Sequence, residues 1–251
     1  MHRKQLTIFF IMLAAYALAT FIGYAFFLKE MTNIAGITPP TSMGDPLILG
    51  LSSAGIVFVL YALFGLAGYW FARKLGLPGI YSQDGNWQRW VLIPLGLGLG
   101  CGVILVLGDI FFARINGLGF FPHPTFPASI FASIGAGIGE EIAFRGFVFG
   151  LWALIWNWLL SRFQGRMVAL WIANIIAALV FGASHLGLIF MITGAKSIAD
   201  LNPVLLVEVF LLNGVIGLIA GQRYMKDGLV AASGVHFWTD IVFHVLWGAM
   251  S

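Results

Sequence analysis

Residues 128–159 read ASIFASIGAGIGEEIAFRGFVFGLWALIWNWL, and the only charges among them are Glu140, Glu141 and Arg145. About 20 apolar residues cross the ~30 Å hydrocarbon core of a bilayer, so a run of this length reads as a membrane span. As one continuous helix it would measure ~48 Å at 1.5 Å per residue, and must tilt, protrude or break. Gly135, Gly137 and Gly139 mark the expected break. That would put Glu140 and Glu141 at a helix N-terminus, where the dipole favours negative charge.

Outward from this stretch the whole chain has the same character. Of its 251 residues 60% are hydrophobic and 9% charged, against about 25% charged in soluble domains, and such a chain needs lipid as its solvent. Apolar runs predict seven spans, at 6–28, 47–71, 90–113, 128–159, 167–192, 203–222 and 229–248. The expected fold is all-α, a polytopic membrane helix bundle of about seven to eight transmembrane helices. Residues 1–125 would supply N-terminal transmembrane helices and 126–248 a catalytic helical core, within one integrated membrane domain. The first run continues through Phe27 and Leu28, beyond the ~7–15 residues of a signal-peptide core, and reads as a retained helix. Residues 78–89 read as a polar loop. Gly96, Gly98, Gly100 and Gly102 give two overlapping GxxxG spacings and Gly135 with Gly139 a third, the pattern of close helix packing.

Basic residues set the orientation. With the N-terminus in the cytoplasm, inside segments hold Arg3, Lys4, Arg73, Lys74, Arg89, Arg162, Arg166, Arg223 and Lys226, and outside segments hold Lys29, Arg114 and Lys196. Nine against three is the positive-inside bias of a multi-pass protein, expected in the cell membrane with a cytoplasmic N-terminus. Cys101 is the single cysteine, which excludes an internal disulfide and a cysteine-rich metal site. No basic cluster points to nucleic acid.

Ionisable groups inside lipid are costly and need a partner or a function. Glu140, Glu141, Arg145, His185, Glu208, His236, Asp240 and His244 all fall within apolar spans. Glu141 and Arg145, four apart, share a helix face and can pair, while Glu140 points elsewhere and is free to act as a base. Equally, the three could form one structural charge cluster. Phe181 precedes His185 by one turn and can pack on its ring. His236 and Asp240 are again four apart, and a carboxylate there can orient an imidazole or join it on a metal. His244 extends that stripe, more in keeping with a structural role.

EExxxR (Glu140–Arg145), FxxxH (Phe181–His185) and HxxxD (His236–Asp240) on successive helices resemble the motifs of the CAAX-protease and bacteriocin-processing (CPBP) family, which includes the type II CAAX prenyl endopeptidases. The resemblance covers about residues 125–247. It implies an intramembrane glutamic endopeptidase, a hydrolase in which Glu140 activates water and His185 holds that water or shares its proton. His236 and the residue at 240 would stabilise the oxyanion, and Glu141 and Arg145 would support them. Position 240 is typically asparagine in the prenyl endopeptidases, and an ionised aspartate only accepts hydrogen bonds. Asp240 is therefore protonated, or orients His236, or belongs to a metal site.

Amide hydrolysis needs an activated water, a proton acceptor and oxyanion donors in a pocket that admits water but excludes bulk solvent. A carboxylate drawn out of bulk water is a better base than one on a wet surface. No cofactor is expected; zinc is the alternative, since Glu140, His185, His236 and Asp240 are N and O donors of the kind it uses. The expected partners are the lipid bilayer and a membrane-associated protein or peptide, possibly prenylated or CAAX-like. Two other functions use the same residues: a non-proteolytic scaffold or self-immunity protein, and a transporter relaying protons through Glu140, Glu208 and His185. One feature resists the simple bundle. His185 lies ~27 Å along its span and His236 about 12 Å along another, which would set them at different depths.

Overall fold

The computed structural model describes residues 2–32 and 44–251. Among the described residues, seven helices are long and apolar enough to cross a membrane. They are α1 (His2–Phe26), α2 (Pro46–Lys74), α3 (Gln88–Phe112), α4 (Ala128–Leu159), α5 (Arg166–Thr193), α6 (Pro203–Asp227) and α7 (Leu229–Trp247). Every boundary falls within five residues of the expected span, and the chain is an all-α, multi-pass membrane bundle.

Local chemistry starts the helices. Asp45 accepts from the Leu47 N–H at 2.8 Å ahead of Pro46, and Asn202 accepts from the Val204 N–H at 2.9 Å ahead of Pro203. Both pair a capping side chain with a proline whose missing N–H costs nothing at the first helical position. α7 is the most enclosed helix and α2 the least. Around α7 pack α3, α6 and the first half of α4, and α1 lies between α2 and α4.

Of the two GxxxG spacings in α3, only Gly98/Gly102 is an interface. A Cβ on Gly98 would stand 2.6 Å from both Trp238 Cβ and the Val235 carbonyl, and one on Gly102 would run into Val242. Gly96 and Gly100 have nothing within 4 Å. The rows alternate around the helix, so one faces α7 and the other faces outward.

The expected break in α4 is absent. The helix runs through Gly135, Gly137 and Gly139, and Tyr16 of α1 packs where side chains on Gly135 and Gly139 would stand. Glu140 and Glu141 therefore sit mid-helix, and the next turns, Ile142–Phe149, widen to π-helical geometry. α7 does the same at Ile241–Trp247, immediately after Asp240. The interruption falls in α5 instead, where Arg166–Ser184 gives way to Leu186–Thr193 at His185.

The segment read as a polar loop is partly an inner wall. Gln5 of α1, itself buried, accepts from the Ile80 and Tyr81 N–H groups at 2.9 and 3.2 Å and donates to the Pro78 and Tyr81 carbonyls at 3.2 and 2.8 Å. The carbonyls of Gly79 and Ile80 in turn accept from the Leu229 and Val230 N–H groups, both at 2.9 Å. Ile80 and Leu229 are buried together. α7 thus begins hydrogen-bonded to the 78–81 segment. The different depths expected for His185 and His236 are not found, since both line one cavity. At the same end Arg89 and Arg223 pair with the buried Asp227, and Arg166 donates to the Leu75 carbonyl at 2.8 Å.

Candidate active site

α4 supplies two adjacent carboxylates with different surroundings. Glu141 is fully buried and its Oε1 receives Arg145 Nη1 at 3.0 Å, the pair expected from the i,i+4 spacing. That same oxygen accepts from His236 Nδ1 of α7 at 2.8 Å. Glu140 keeps 33% of its side chain exposed, and its Oε2 lies 3.8 Å from the other nitrogen of the ring, His236 Nε2. The two glutamates leave the helix in different directions, as expected, but both reach one imidazole. Asp240 Oδ1 lies 3.7 Å from the same Nε2. The orienting hydrogen bond on His236 therefore comes from Glu141, and Asp240 stands at the ring nitrogen that faces Glu140.

α5 supplies His185. Its Nδ1 lies 2.9 Å from the Phe181 carbonyl; a carbonyl only accepts, so Nδ1 carries a proton, and in the neutral ring Nε2 presents a lone pair. Ser184 donates to the same carbonyl at 2.7 Å, and its oxygen lies 3.4 Å from His185 Nδ1. Phe181 is buried at the centre of the group. Its ring lies edge-on to His185 at 5.0 Å and to His236 at 5.4 Å, and Arg145 sits 4.7 Å over its centroid. The expected Phe181–His185 packing is present, and the same ring also touches the other two motifs.

Glu140, His185, His236 and Asp240 line one cavity of about 120 Å³, together with Glu208 of α6 and His244 of α7. Glu141 and Arg145 lie behind it. His244 is not merely structural filling: besides lining the cavity, its Nδ1 lies 2.9 Å from Nδ1 of His123 in the α3–α4 connection. Burial holds the His123 imidazole down to about 4, from the ordinary 6.5.

That connection is tied down by residues whose roles the sequence did not disclose. Asp109, buried near the end of α3, accepts from the Phe121 N–H at 3.0 Å and from Trp247 Nε1 at 2.7 Å. Asn116 accepts from the Leu118 and Gly119 N–H groups at 2.8 and 2.9 Å, and donates to Glu208 Oε2 at 2.8 Å. The only available signal was an acidic residue within an apolar run. Asn116 gives none, because asparagine in a polar connection is ordinary.

Glu140, His185, His236 and Asp240 are the N and O donors that a zinc ion would use. Among the described residues, no group of three or more His, Cys, Asp or Glu side chains has the geometry to hold a metal ion. Nδ1 of each histidine is engaged by the protein, leaving Nε2 of each toward the cavity. What the arrangement offers is a part-exposed carboxylate, a histidine lone pair and a second histidine ringed by acids.

No curated protein and no solved structure matches the chain. The family model for type II CAAX prenyl endopeptidase Rce1-like proteins matches residues 122–247, a stretch that contains Glu140, Arg145, His185, His236 and Asp240. The chain belongs to the type II CAAX prenyl endopeptidase Rce1-like family, and so to a family of membrane proteases.

Proposed function

We propose that the chain is an intramembrane endopeptidase that hydrolyses a peptide bond of a membrane-associated protein or peptide with water activated by Glu140. One observation carries this: Glu140, His185, His236 and Asp240, from three helices, converge on a single cavity. Glu140 is the acid with a side chain open to water, and Glu141 is buried and holds Arg145 and His236 through Oε1. Glu140 takes a proton from a water that His185 Nε2 holds by accepting its second hydrogen. The resulting hydroxide adds to the scissile carbonyl. In its doubly protonated form His236 donates from Nε2 to the oxyanion, while Nδ1 stays anchored on Glu141. Collapse of the tetrahedral intermediate breaks the C–N bond, and Glu140 returns its proton to the departing amine. Asp240, at the Nε2 side, balances the charge of His236 when the oxyanion is absent. No step requires a metal.

Residues 126–248 carry these groups and residues 1–125 contribute enclosing helices, with the N-terminus in the cytoplasm and the chain in the cell membrane. The test compares membranes containing the native protein with membranes containing Glu140→Gln at equal abundance, every new peptide terminus being read by mass spectrometry. Termini that need Glu140 support proteolysis and name the substrate; their loss under a chelator would favour zinc. Identical lists from two folded, abundant proteins would sink the protease and favour a binding or scaffold role.

A further inference from the structure

The cavity wall opposite the motifs holds an acid that the proposed hydrolysis does not use. Glu208 is completely buried on α6, and Oε2 is fixed by Asn116 Nδ2 at 2.8 Å. Asn116 is in turn immobilised: it is 1% exposed, its Oδ1 accepts two backbone N–H groups, and its own carbonyl accepts from Asn202 at 2.8 Å. The α3–α4 connection is thus built to hold one oxygen of Glu208. The other, Oε1, is buried with no hydrogen-bond partner.

A buried carboxylate oxygen without a donor is costly, and a cation is its best complement. Among the described residues, the cavity is lined by three carboxylates, Glu140, Glu208 and Asp240, and by no lysine or arginine. Of its histidines, His236 is engaged by Glu140, Glu141 and Asp240 rather than Glu208. Arg145 pairs with Glu141 and does not line the cavity. The other nearby acid, Asp109, is satisfied by neutral donors.

We propose that Glu208 is a specificity subsite, held in place by Asn116, that receives a cationic side chain (lysine or arginine) of the peptide occupying this cavity. As a statement about cleavage it rests on the protease reading above; as a statement about binding it does not. The subsite gives the cavity a preference for basic over neutral peptides and disfavours a free carboxylate at this end.

The test has two arms on the full chain in lipid nanodiscs. In the first, thermal unfolding is followed with n-butylammonium, a lysine side-chain mimic, and with n-butanol, its neutral counterpart. Butylammonium is expected to raise the melting temperature of the native protein more than butanol does, and Glu208→Gln, which keeps the Asn116 contact, is expected to erase the difference. Equal shifts for the two probes, or a difference that survives in Glu208→Gln, overturn the subsite. In the second arm, peptides identical but for one lysine or norleucine near the scissile bond are compared. The lysine-to-norleucine ratio of kcat/KM is expected to fall about tenfold in Glu208→Gln; an unchanged ratio overturns the proposal. Should no peptide be cleaved while butylammonium binding still depends on Glu208, the protease reading fails and the subsite stands.

Discussion

His236 and Glu141 are joined through Nδ1 and Oε1 at 2.8 Å, and that one carboxylate oxygen also takes Arg145. A single buried atom thus links the first and third motifs, and the geometry of the histidine depends on an ion pair that never reaches the cavity. Stability and activity should separate when it is disturbed.

Arg145→Leu leaves Glu141 buried without its cation, and should cost about 3–5 kcal/mol. Adding Glu141→Gln removes the stranded charge and should restore much of that loss, yet activity should stay low because His236 no longer has a carboxylate on Nδ1. Unfolding in detergent and a cleavage assay on the two variants check this. Full recovery of activity in the double variant would show that Glu141 does not hold the ring.

The two glycine rows of α3 should respond oppositely to one extra methyl group. Gly98→Ala and Gly102→Ala should each destabilise by about 1–3 kcal/mol through collision with α7. Gly96→Ala and Gly100→Ala meet open space and should be neutral or stabilise by up to ~1 kcal/mol through helix propensity. Melting temperatures of the four purified variants decide it; equal effects across both rows contradict the packing.

Gln5 holds the 78–81 segment to which the start of α7 is hydrogen-bonded. Gln5→Ala would orphan backbone groups that its side chain now satisfies, at a cost of about 1–3 kcal/mol. Thr7→Ala, on the exposed side of the same helix, should stay within about 0.5 kcal/mol. Chemical denaturation of both in detergent compares them directly, and similar losses would mean that the Gln5 network contributes little.

His123 makes a pH-dependent contribution. Its folded value of about 4 lies below the ordinary 6.5, so between these limits the unfolded chain binds a proton that the folded chain excludes. The contribution is intact above pH 6.5 and is lost as pH falls toward 4, by about 3 kcal/mol in total. His123→Gln should flatten that part of the profile. Melting curves from pH 7 to pH 4.5 test it, and identical slopes for variant and native protein would remove His123 from the account.

Much of this was legible in the sequence, for one physical reason: lipid penalises charge. The penalty made the seven spans plain and made Glu140, His185, His236 and Asp240 conspicuous. The Glu141–Arg145 pair followed from helical spacing. What spacing could not supply was the relation between helices. Gly135, Gly137 and Gly139 could break a helix or admit a neighbour, and only the presence of Tyr16 distinguishes the two. Glu208 stood out as an intramembrane acid, but its restraint by Asn116 spans 92 residues of chain. Asp109 was an acid within an apolar run, but its partners Phe121 and Trp247 lie 12 and 138 residues away along the chain. The alternation of Gly98/Gly102 with Gly96/Gly100 was visible, but not which row met α7.

The widened turns at Ile142–Phe149 and Ile241–Trp247 have a further consequence. A π turn accommodates more residues than an α turn, so each stretch carries a local surplus of chain, beginning directly after Glu141 and after Asp240. Deleting one residue from either would restore ordinary winding, while the acids upstream kept their aim. Each of α4 and α7 can therefore lose a residue at this point without re-aiming the helix on either side of it. Relatives whose lengths differ by a single residue in these two places are the ones in which that adjustment would be found.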